Sequence, residues 1–166
     1  MAQHGNTIAC QGLTKHYGAV QALRGLDLAV PEGAIFGFLG PNGAGKTTTI
    51  KLLTGLSRPT AGRAWVAGQE VAFNRQARRA HIGYLAEEPA FYSWLSGREF
   101  LTYVGRLFGL GGRELTRRVD ELLELADLGA AARRRIGGYS RGMRQRLGIA
   151  QAMINRPAVL FLDEPC

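Results

Sequence analysis

The stretch Gly40-Pro41-Asn42-Gly43-Ala44-Gly45-Lys46-Thr47 decides the reading of this chain, because it matches G-x-x-x-x-G-K-[ST]. Glycines at such spacing let a loop curl until successive main-chain N–H groups converge on phosphate oxygens. A helix leaving the loop adds the positive end of its dipole. Lys46 is placed to reach the β- and γ-phosphates, and the Thr47 hydroxyl to hold Mg²⁺. Outward from the loop, Ala34-Ile35-Phe36-Gly37-Phe38-Leu39 is an apolar run that predicts a strand, and Thr48-Thr49-Ile50-Lys51-Leu52-Leu53 predicts a helix. Strand, glycine loop and helix in that order predict a nucleoside triphosphate site.

The rest of the chain is that of a globular protein. Its 166 residues suffice for one ordinary core, and 46% of them are hydrophobic. No uncharged apolar run reaches 18 residues, so no membrane span is expected, and Met1–Asn6 lacks the pattern of a signal peptide. Cys10 and Cys166 offer no disulfide framework and read as small apolar residues of a reducing compartment. The net charge is +8, with 21 basic against 13 acidic residues, which raises the question of nucleic acid. The densest basic runs, Arg133-Arg134-Arg135 and Arg141/Arg144/Arg146, have few aromatic neighbours to stack bases. A solvated or interface face fits them better.

Ile8–Tyr17, Leu26–Val30, Arg63–Ala67 and His81–Leu85 read as strands. Ser96-Gly97-Arg98-Glu99 reads as a capping box. The helix behind it carries Phe100, Tyr103, Val104 and Leu107 on one face and stops at Gly109. A second helix follows Gly111-Gly112, with Leu115, Val119, Leu122, Leu123 and Ala126 at core spacing. A third runs from Ser140 to about Asn155 and is ended by Pro157. Ala158–Leu162 is a continuous apolar run that fits a strand buried on both faces of a parallel sheet, followed by Asp163 and Glu164. The expected organisation is an α/β nucleotide-binding core from 1–88 and 151–166, with a helical subdomain from 89–150.

The apolar run ending in Asp163-Glu164 resembles a Walker B strand. Asp163 is placed to hold Mg²⁺ through its water shell, and Glu164 to orient or deprotonate the attacking water. Tyr139-Ser140-Arg141-Gly142-Met143 opens the third helix 23 residues before Asp163, counted from Ser140. With these three motifs in this order, the chain from about Ile8 onward resembles the ATP-binding domain of the ABC family, whose signature is Leu-Ser-Gly-Gly-Gln. The resemblance implies a P-loop NTPase core of RecA-like type, with a mixed or parallel sheet and an ABC-type helical subdomain. It implies ATP bound by Gly40, Pro41, Asn42, Gly43, Ala44, Gly45, Lys46, Thr47 and Thr48, with Tyr17 stacked on adenine. It implies Mg²⁺ held by Thr47, Asp163 and Glu87, and catalysis by Lys46 and Glu164. The signature, Ser140, Arg141, Gly142 and Met143, would cap ATP held by a partner ATPase subunit.

Three departures qualify the resemblance. Glu87 stands where the family has the Q-loop Gln and cannot donate as an amide does. Arg141 replaces the first signature Gly, which implies that no positive φ is needed there; Met143 replaces the Gln. These variants resemble the bacterial branch that exports drugs, lipids and glycans. The family also continues past this point with a D-loop and a switch His, so the chain is expected to be a piece truncated after Walker B, inactive by itself. The implied role is ATP binding and hydrolysis as a transporter motor, docked on permease subunits at the cytoplasmic face of the membrane. The alternatives are a soluble ABC ATPase acting on ribosome or DNA, and a fragment that binds nucleotide without hydrolysis.

Overall fold

The computed structural model describes residues 5–73 and 81–163. The chain forms two compact units, Met1–Ile82 and Gly83–Cys166. Among the described residues no helix is long and apolar enough to cross a membrane.

The first unit is a sheet with one helix. Strand β1 (Asn6–Tyr17) pairs antiparallel with β2 (Val20–Pro31) and with β3 (Ala61–Val66), and β3 pairs antiparallel with the short β4 (Gln69–Glu70), giving the order β2-β1-β3-β4. Along β1 the buried residues are Ile8, Cys10 and then Leu13, so the period of two breaks once. Register shifts fall between Cys10 and Leu13 on the β2 side and between Gln11 and Thr14 on the β3 side. An extra residue there turns Leu13 back to the core face. Helix α1 (Lys46–Leu53) lies on β2 and β3, burying Ile50, Leu52 and Leu53 with Ala64, Val66 and Val30. Burial in this core pushes the Cys10 thiol up to about 11, and the Asp27 charge adds to it. Cys10 therefore packs as an apolar residue, as its sequence context implies.

The second unit is mainly helical. Strands β5 (Ile82–Leu85) and β6 (Val159–Leu162) form a two-stranded sheet, and α2 (Gly97–Leu107), α3 (Gly112–Leu125) and α4 (Arg141–Ala152) pack on one another. Their core joins Phe100, Leu101 and Val104 to Leu115, Val119, Leu122, Leu123, Leu147, Ala150 and Ile154. The capping box forms as expected: the Ser96 hydroxyl accepts from the Glu99 N–H and the Glu99 carboxylate accepts from the Ser96 N–H. Two of the arginines close helix ends. Arg146 donates to the Ala126 and Asp127 carbonyls after α3, and Arg118 donates to the Met153 and Ile154 carbonyls after α4.

Four expectations are corrected. Ala34–Leu39 forms no strand: Ile35 and Leu39 are almost wholly exposed, and no described strand runs beside the segment. Apolar, β-prone composition does not make a strand without a ladder partner. Strand β6 is not buried on both faces, since Val159 and Phe161 are buried while Leu160 and Leu162 are each 37% exposed. On α2 the buried side is Phe100, Leu101 and Val104, whereas Tyr103 and Leu107 face outward. Finally, α4 ends at Ala152, five residues before Pro157, with Met153 as its cap. Every described pairing of the four-stranded sheet is antiparallel.

Candidate nucleotide site

The glycine loop opens directly into α1. Gly45 is the N-cap residue, at φ +87°, and no side chain caps the helix. Two constraints meet at this glycine. Its backbone sits in the left-handed region, and a Cβ would lie 2.7 Å from the Ala22 carbonyl oxygen of β2. The loop is thus pressed onto β2, with the Leu23 side chain 3.6 Å from the same point. Inside the loop the Ala44 N–H donates to the Pro41 carbonyl, which closes a turn. Among the described residues the N–H groups of Asn42, Gly43 and Gly45 donate to no acceptor. They are open donors at a helix start, where the dipole favours an anion.

Lys46 lies across this loop, its Nζ donating to the Gly40 carbonyl at 2.6 Å. A carbonyl is a neutral acceptor, so a phosphate oxygen would replace it with a stronger, charge-assisted bond. Thr48 is half-buried on the first turn, and Thr49 is buried with its hydroxyl donating to the Gly45 carbonyl at 2.9 Å. Tyr17 ends β1 opposite Val20, three residues before the Leu23 that backs Gly45. It is 48% exposed, with Lys15 Nζ over one face of its ring, 4.8 Å from the ring centre.

In the second unit, Asp163 follows β6 and is buried, its N–H donating to the Leu85 carbonyl of β5 at 3.0 Å. Glu87, two residues beyond β5, is exposed. The Tyr84 phenol is pushed above its ordinary range first by burial and then by the charges of Asp163 and Glu87. Both carboxylates therefore act on one ring at the end of this sheet. Glu87 and Glu88 also line one side of a cleft of about 600 Å³ whose other side carries Arg141, Arg144 and Gln145 of α4. Glu164 lies outside the described residues.

Among the described residues no three His, Cys, Asp or Glu side chains lie close together; the Thr47 hydroxyl and the Asp163 and Glu87 carboxylates are oxygen donors, each within its own unit. Oxygen donors of this kind suit a hard cation such as Mg²⁺, which keeps waters and takes substrate phosphates as ligands.

Helix α4 starts at Ser140, whose hydroxyl accepts from the Met143 N–H at 3.2 Å. Arg141 and Gly142 form its exposed first turn. Arg141 has no positive φ, which answers the question that its replacement of glycine raises. Ahead of the helix, Tyr139 is buried and all three of its polar groups are engaged. The sequence marks Tyr139 only as part of the motif. Ala22 and Leu23, which back Gly45, carry no sequence signal at all.

The family model for the ABC transporter domain matches residues 23–166. An uncharacterized ABC transporter ATP-binding protein YxlF of Bacillus subtilis is 46% identical over 95% of this chain and 52% of its own length. Daunorubicin resistance ATP-binding protein DrrA2 of Streptomyces coeruleorubidus is 50% identical over 97% of this chain and 50% of its own. The chain thus spans about half the length of these curated relatives. Among solved structures, a post-hydrolysis dimer of the ATP-binding cassette MJ0796 with ADP and Pi has a TM-score of 0.85. It covers 95% of this chain and 74% of that one at 24% identity, a likeness of fold.

Proposed function

This chain belongs to the ABC transporter ATP-binding family, and we propose that it binds and hydrolyses ATP as the motor subunit of a transporter, with export as its direction. The observation that carries the proposal is the glycine loop: the amides of Asn42, Gly43 and Gly45, which donate to no acceptor among the described residues, at a helix start with no side-chain cap, and the Lys46 ammonium bonded back to the Gly40 carbonyl. In this reading the amides of the loop and the α1 N-terminus bind the triphosphate, and Tyr17 stacks on the adenine. Lys46 exchanges the Gly40 carbonyl for the β- and γ-phosphates and offsets charge that builds on the transferring group. Thr47, Asp163 and Glu87 would hold Mg²⁺, which neutralises charge on the β- and γ-oxygens when bound. Glu164 takes a proton from the attacking water as its oxygen bonds to the γ-phosphorus and the β–γ bridging bond breaks.

The family resemblance supports the remaining assignments. Residues 1–88 and 151–166 would form the nucleotide core, and 89–150 the helical subdomain. Ser140, Arg141, Gly142 and Met143 would cap ATP on a second ATPase subunit, so that two subunits enclose two nucleotides. Separate permease subunits would hold the dimer at the cytoplasmic face of the membrane. The name of the daunorubicin resistance relative supports export.

The test uses the full-length protein. Lys46→Ala is expected to weaken ATP binding at least about 100-fold, since a charge-assisted contact to phosphate is lost at the centre of the site. Glu164→Gln is expected to keep ATP binding, lose turnover and accumulate the closed dimer. Normal hydrolysis by Glu164→Gln would assign the base elsewhere.

A further inference from the structure

Tyr139 immediately precedes the Ser140 that starts α4. Its N–H donates to the Ile136 carbonyl at 2.9 Å. Its carbonyl accepts from Arg144 Nη1 at 2.7 Å. Its hydroxyl donates to the Ala131 carbonyl at 2.8 Å. The ring is 3% exposed and belongs to the helical core. The hydroxyl also abuts the start of α2. A Cβ on Gly97 would lie 2.5 Å from that oxygen and 3.4 Å from the ring carbon bearing it, so the space for the phenol exists because residue 97 is glycine. The Gly97 N–H faces the same oxygen and favours its ionised form, against the larger upward effect of burial.

The contacts around this pair form a continuous seam. Ser93 and Leu95 accept from the Gly137 and Ile136 N–H groups, and the Arg98 N–H donates to the Ala132 carbonyl. Ser96 bridges to Arg135. The segment 93–98 therefore grips 132–137 along its length, and the Tyr139 side chain reaches back from the end nearest Ser140 to bond at the opposite end, at Ala131 beside Gly97. A leucine, which the family signature has here, could fill the pocket but could not bond the Ala131 carbonyl.

We propose that Tyr139 is a positioning residue for the start of α4: its hydroxyl, bonded to the Ala131 carbonyl and seated against Gly97 of α2, anchors residue 139 and so fixes the direction in which Ser140 and the Arg141 and Gly142 amides point. This rests on the reading that Ser140–Met143 cap a partner's nucleotide. A donor set that must meet an anion across a dimer gains from being held before the partner arrives, because ordering costs are then not charged against association.

The experiment uses full-length protein carrying Glu164→Gln, so that turnover does not dissolve the dimer. Two quantities are read: ATP affinity at protein concentrations where the chain is monomeric, and ATP-driven self-association by sedimentation. Tyr139→Phe is expected to leave ATP affinity within about twofold and to weaken association roughly tenfold, the scale of one lost buried hydrogen bond with its partner unpaired. Gly97→Ala is expected to weaken association further by displacing the hydroxyl. Adding Tyr139→Phe to Gly97→Ala should return association to the level of Tyr139→Phe alone, since the nearest remaining ring atom is 3.4 Å from the new methyl. Association of Tyr139→Phe equal to the parent's overturns the proposal. So does a parallel loss of ATP affinity and association, which marks a general loss of structure. A Tyr139 parent that binds ATP but never associates overturns the dimer reading and the proposal with it.

Discussion

The starts of α1 and α2 solve the same problem in opposite ways. Every helix begins with main-chain N–H groups that have no intrahelical acceptor. At α2 the protein supplies all that is needed: Ser96 and Glu99 satisfy each other's amides, and Ser96 is buried. At α1 it supplies no side-chain cap. The N-cap is a glycine at φ +87°, and its own amide and those of Asn42 and Gly43 donate to no acceptor among the described residues. A helix start closed by its own side chains is made for folding; one left open on a rigid glycine bend is made for a ligand. The start of α4 stands between them, with Ser140 accepting from Met143 while the first turn stays exposed.

Gly45→Ala tests the contrast most severely. The methyl would meet the Ala22 carbonyl at 2.7 Å on a backbone that disfavours any side chain. The loop must leave β2, so ATP binding should be abolished and stability should fall by about 2 kcal/mol or more. Calorimetric titration and thermal unfolding of the full-length protein read the two effects. Retained ATP affinity would mean that the loop's seat on β2 is not what shapes the site. Ser96→Ala is the mirror experiment. It should cost about 1–2 kcal/mol of stability by removing a buried cap and leave ATP affinity unchanged. A fall in affinity without a fall in stability would erase the division between the two helix starts.

The same contrast explains what could be read in advance. The glycine loop and the capping box are local motifs, in which the residues that specify the geometry also adopt it, and both were legible. So were the core positions of α3, because Leu115, Val119, Leu122 and Leu123 repeat at helical spacing over a long segment. Ala34–Leu39 was misread because a strand depends on a partner that composition does not disclose. The first part of β2 went unread for a related reason: Val20 and Gln21 are exposed and Ala22 and Leu23 only half-buried, so no alternation marks the strand. In the site, residue types and order were visible. The pressure of Ala22 on Gly45, the shared action of Asp163 and Glu87 on Tyr84 and the bolting of Tyr139 arise from tertiary contact and left no local trace.

The smallest predicted effect is a pH dependence confined to the closed helix start. Glu99 is held below the usual carboxylate range, first by the Ser96 N–H, then by the Ser96 hydroxyl, with Arg135 adding a lesser contribution against desolvation. A carboxyl depressed in the folded state lends stability that is complete above its unfolded pKa and is lost as pH falls through the folded one. Hydrogen exchange at the amides of α2's first turn should therefore accelerate as the solution is acidified below the ordinary carboxylate range. Glu99→Gln keeps an acceptor oxygen but cannot titrate there, and it should flatten that profile. The open start of α1 has no acidic residue in its first turn, so its exchange should show no matching acid step in the absence of nucleotide. An equal step at both helices would trace the acid sensitivity to the domain as a whole and remove the capping box as its cause.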